Sequence, residues 1–93
     1  MTDLTTNTLY AEAMLGKDAE EWLNTDLGRY VMARIEEEER EAFEALAKTI
    51  PWRRRKIQEL QNRIWRAQQF KGYLAELIVT GQQALSQLEN AET

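Results

Sequence analysis

Two charge clusters are the places in these 93 residues where side-chain type and spacing could do chemistry. The first is acidic: Glu36, Glu37, Glu38 and Glu39, followed by Glu41 and Glu44. Paired carboxylates act as general acid and base, or ligate metals, when they converge in a dry pocket, usually from facing helices that also supply histidine. Here they would spray around a single helix, opposite a segment rich in Arg, Lys and Gln, so a solvated, salt-bridged face is expected. The second cluster is basic: Arg53, Arg54, Arg55 and Lys56 beside Trp52, continued by Arg63 and Arg66. Four cations at a helix start oppose the helix dipole, so something other than local helix stability must favour them. Phosphate contact with Trp52 stacking is one reading. Neutralising the acidic opposing helix, or an acidic neighbouring subunit, is the other.

The chain contains neither cysteine nor histidine. That removes disulfides, thiolate ligands, the commonest general base and the commonest metal ligand. No catalytic residue, metal or cofactor is therefore expected. Twelve basic against sixteen acidic residues leave a net charge of −4, which argues against a general nucleic-acid binder. No apolar run approaches the ~20 residues of a membrane span, and no secretory pattern is visible, so a cytoplasmic protein with no membrane contact is expected.

The elements that must position these clusters all read as helical. One proline and four glycines leave few breaks, and nothing alternates with the period of a strand. The fold class expected is all-α, a long antiparallel helical hairpin with short N-terminal helices packed on it. Residues 1–24 form an arm with short helices over 9–15, ended by Gly16, and over 19–23. The first long helix covers 26–49, with Leu27, Val31, Ile35, Ala42 and Leu46 on one face and Tyr30, Phe43 and Ile50 on its flank. Glu38 interrupts that face. Pro51 ends it and opens the second long helix, 51–89.

This last helix carries a seam spaced by three and four: Ile57, Leu60, Ile64, Ala67, Lys71, Leu74, Ile78, Gly81, Leu85 and Leu88. Trp65, Phe70, Tyr73 and Leu77 widen the surface it is expected to bury. Antiparallel pairing puts Ala42 on Leu60, Ile35 on Ala67 and Leu27 on Leu74, and brings Glu38 within reach of Arg63 or Arg66. The second helix outreaches the first. Ile78, Gly81, Leu85 and Leu88 therefore need cover, from the N-terminal segment or from another copy, and the shortness of the N-terminal pieces favours a homo-oligomer. Gly81 would permit close approach of a second backbone, and Trp52 at the hairpin tip is a candidate partner anchor.

The segment Leu60, Gln61, Asn62, Arg63, Ile64, Trp65, Arg66, Ala67, with Phe70, Tyr73, Leu74, Ala75, Glu76 and Ile78, resembles small uncharacterised helical proteins of tailed bacteriophages and prophages. Residues 23–30, LNTDLGRY, share in the resemblance, which spans roughly 22–81. It implies a phage protein in the bacterial cytoplasm or on the virion, and brings no site or activity. Members have a less basic turn, so the cluster at 53–56 lies outside it. The resulting expectation is a non-enzymatic interaction or particle-assembly accessory protein that binds a protein partner or itself. The alternative is a small regulator contacting nucleic acid, or a host nucleic-acid-binding protein, through the basic tip or the acidic helix face.

Overall fold

The computed structural model describes residues 3–92 and contains three helices: α1 (Asp3–Leu23), α2 (Asp26–Lys48) and α3 (Arg54–Glu92). Among the described residues there is no strand. Met1, Thr2 and Thr93, the ends of the expected arm and tail, lie outside them. The 39 residues of α3 should span about 58 Å at 1.5 Å per residue, and the longest dimension of the molecule is 61 Å. α3 is thus the strut of the fold. α2 lies antiparallel along its N-terminal half, with Ala42 on Leu60 and Ile64 and with Leu46 and Ala45 beside them. α1 lies antiparallel along its C-terminal half, where Leu9 packs on Ala84 and Leu88 and Trp22 meets Phe70. The first two helices therefore run end to end against the third, giving a slab 28 Å wide and 16 Å thick.

The expected short N-terminal helices are instead one helix of 21 residues. Gly16 does not terminate it, because a glycine inside a helix costs only about 1 kcal/mol and here permits a close approach. A Cβ on Gly16 would lie 2.7 Å from the Leu77 carbonyl oxygen and 2.8 Å from the Cα of Gly81. The two backbones touch at these glycines. Beyond that point α1 rests on Ala84, which is 1% exposed, while Leu85 turns half out at 50%. The expected seam position passes from Leu85 to its neighbour.

The break between α1 and α2 is built from local chemistry. The Thr25 hydroxyl accepts from the Gly28 N–H at 3.0 Å, capping α2, and donates to the Trp22 carbonyl at 2.6 Å. Gly28 is forced by this joint, since a Cβ there would run into the Trp22 carbonyl oxygen. Leu27, expected on Leu74, is 63% exposed, because the joint precedes the stretch where α2 is buried on α3. At the other end α2 stops at Lys48, as the Ile50-Pro51 pair dictates. Pro51 does not open α3. It occupies the second position of a turn closed by the Arg53 N–H donating to the Ile50 carbonyl at 3.0 Å, and α3 starts three residues later.

Candidate interaction surfaces

The acidic run resolves into local pairs on α2. Arg34 approaches Glu37 at 3.7 Å and Glu38 at 3.5 Å, and Arg40 approaches Glu44 at 3.3 Å. Glu38 shares a groove with Arg63 and Arg66, but its ion pair is with Arg34 on its own helix, and Arg63 pairs with Glu59 at 2.7 Å. The carboxylate that crosses to α3 is Glu39, whose partner Lys71 is 2.5 Å away. This bond also explains a lysine in the α3 seam: it answers a half-buried acid. Among the described residues no three acids converge as a metal site would require. Among the described residues no helix is long and apolar enough to cross a membrane.

The basic cluster forms the end of the slab. Trp52 is the most exposed large hydrophobic side chain among the described residues, at 78%. Arg53, Arg54 and Arg55 are exposed and make no ion pair among the described residues, while Lys56 stands 4.0 Å from Glu59. The α3 cap residue is Arg53, which has no side-chain acceptor, and the first turn contains no acid. Residues 48–66 contain seven cations and one acid, against five cations and fifteen acids elsewhere. Charge separated by more than a Debye length of about 8 Å is largely screened. The net charge of −4 therefore says little about the field at the tip.

The second expected group, Ile78, Gly81, Leu85 and Leu88, lies far from the first: Arg54 and Leu85 are about 46 Å apart along α3 at 1.5 Å per residue. The structure does not bring the two groups together. Gly81 and Leu88 are buried under α1, Ile78 is half-buried, and only Leu85 is largely open. Their cover is intramolecular, so they do not call for a second copy. Leu85 instead lines an open groove of about 470 Å³ with Tyr10, Met14, Lys17 and Glu20.

A second exposed apolar surface lies toward the middle of α3. Trp65, Phe70, Tyr73 and Leu77, expected to be buried, all reach solvent, and Tyr73 is 63% exposed. Phe70, Tyr73 and Leu77 follow one another by three and four and so form one stripe of α3. Trp22 extends the stripe onto α1, its ring centroid 6.4 Å from that of Phe70 in an edge-on arrangement. Leu15, seven residues from Trp22 and on the same side of α1, is also exposed. In the other direction the stripe continues through Arg66 and Arg63, which line one groove with Phe70. Its spacing is visible in the sequence. Its exposure is not, since the same residues could equally have faced a helix. Comparison of the chain with protein-family models, with curated proteins and with solved structures finds no match in any of the three.

Proposed function

We propose that this chain is a non-enzymatic interaction protein that presents helical surfaces to a partner, in keeping with an accessory role in phage or prophage particle assembly. The observation that carries the reading is the apolar stripe of Phe70, Tyr73 and Leu77 with Trp22 and Leu15 on the slab face. Contiguous apolar surface rimmed by polar groups marks docking sites in soluble proteins, and Tyr and Trp supply large contact area with few rotors to freeze. The phage setting rests on the sequence resemblance alone. The test pairs two measurements on wild type and on Tyr73→Lys with Leu77→Lys. The variant should keep the wild-type helical signal at 222 nm and lose co-sedimentation with particles assembled in the host. Loss of that helical signal would make the stripe part of the core, and retained co-sedimentation would end this reading.

One observation favours a second reading, in which the tip contacts nucleic-acid phosphates: three arginines without an ion pair among the described residues, beside an exposed tryptophan. Three phosphate contacts would give a slope of log affinity against log salt of roughly −2 to −3. Absence of retention on nucleic acid at low salt would remove it.

A further inference from the structure

We infer that the partner on this stripe is a second copy of the chain, docked face to face with the two α3 helices antiparallel about a two-fold axis beside Tyr73. The inference rests on the docking reading above and names its partner. α3 runs from residue 54 to residue 92, so Tyr73 stands at its midpoint. A two-fold contact is self-complementary: the same patch serves both copies, and an antiparallel one must be centred on the patch. In such a pair a residue a given number of positions before Tyr73 faces one the same number after it. Phe70 then meets the region of Glu76 and Leu77 of the second copy, and Tyr73 meets Tyr73.

Along α3 itself, charge favours the antiparallel direction. Residues 54–71 hold six cations and one acid, whereas residues 72–92 hold three acids and no cation. Parallel alignment would lay cation on cation along the first half. Antiparallel alignment lays the cationic half of each copy over the acidic half of the other. Arg66 comes opposite Thr80, one helical turn from Glu76, which borders the same recess as Tyr73, Leu77 and Thr80. Arg63, on the same stripe, comes opposite the glutamine-rich stretch around Gln83. The seam of α3 plays no part in this contact, because α1 and α2 already cover it.

The absence of cysteine makes a clean test possible. Light scattering on the wild type should give twice the chain mass of 10.9 kDa, falling to one chain mass for Tyr73→Lys with Leu77→Lys. Under mild oxidation, Arg66→Cys alone should stay uncrosslinked, because its two copies lie about 21 Å apart along the paired helices at 1.5 Å per residue. An equimolar mixture of Arg66→Cys and Thr80→Cys should form the mixed disulfide. Efficient crosslinking of Arg66→Cys to itself would show a parallel pair and overturn the arrangement. A wild type of 10.9 kDa at all concentrations, or one whose mass rises only when an oligonucleotide is added, would overturn self-docking. Either result leaves the broader docking reading to be judged by the co-sedimentation measurement.

Discussion

Replacing Gly81 by alanine sets two effects of opposite sign against each other. In a helix interior alanine is favoured over glycine by about 0.8–1.0 kcal/mol. Against this, a Cβ on Gly81 would lie 2.8 Å from the Gly16 Cα and 3.0 Å from the Glu12 carbonyl oxygen. Both obstacles are helix backbone and cannot swing aside, so α1 must move outward as a body. That loosens Leu9 from Ala84 and Leu88 on one side of the glycines, and Trp22 from Phe70 on the other. Overpacking of this kind costs about 1–3 kcal/mol, so the net change should be a destabilisation of up to about 2 kcal/mol. Gly72 provides the control within the same helix. Nothing lies within 4 Å of a Cβ built there, so Gly72→Ala should stabilise by up to about 1 kcal/mol. The two substitutions should thus differ by roughly 1–3 kcal/mol, and each kcal/mol moves the melting temperature of a chain this size by about 4–8 °C. Thermal melts followed by circular dichroism at 222 nm resolve that easily. If Gly81→Ala stabilised as much as Gly72→Ala, α1 would not be docked at these glycines and the account of the covered seam would fail.

Four further outcomes follow from other contacts of the fold. Removing Lys71 while keeping Glu39 should destabilise by about 1–3 kcal/mol, since the carboxylate loses its partner in a largely covered position; replacing the two together by Met and Leu should be near neutral in urea melts. Glu38→Leu, on an exposed residue paired only within its helix, should change stability by less than about 0.5 kcal/mol, and a loss of several kcal/mol would restore a cross-helix role for it. Thr25→Ala removes both the α2 cap and the bond to the Trp22 carbonyl and should cost about 1–2 kcal/mol in the same melts. Changing Arg53, Arg54 and Arg55 to glutamate should leave the 222 nm signal unchanged and raise the melting temperature slightly, because acids at a helix start gain about 0.3–1 kcal/mol each from the dipole; a large loss of helix would mean the arginines hold the turn together.

Local chemistry carried the sequence reading furthest where neighbours in the chain decide the outcome. The start of α2 at Asp26 follows from the capping residues Asn24, Thr25 and Asp26, of which the structure uses Thr25, and its end follows from the residue before Pro51 being barred from the α region. The pairing of Ala42 with Leu60 follows from helical periodicity and a short turn. Gly16 shows where such reasoning stops. Its local signal is a helix end, yet Gly81, facing it from α3, makes it a point of contact inside an unbroken helix. Glu38 and Glu39 differ by one position and 100° of rotation, and only the placement of α3 decides which of them meets Lys71. The stripe of Phe70, Tyr73 and Leu77 is the clearest case. α3 has apolar residues on more than one side, while α1 and α2, running end to end, can cover a single seam. Which side is left to solvent depends on where those two helices land, and that is a property of the packed molecule rather than of any segment.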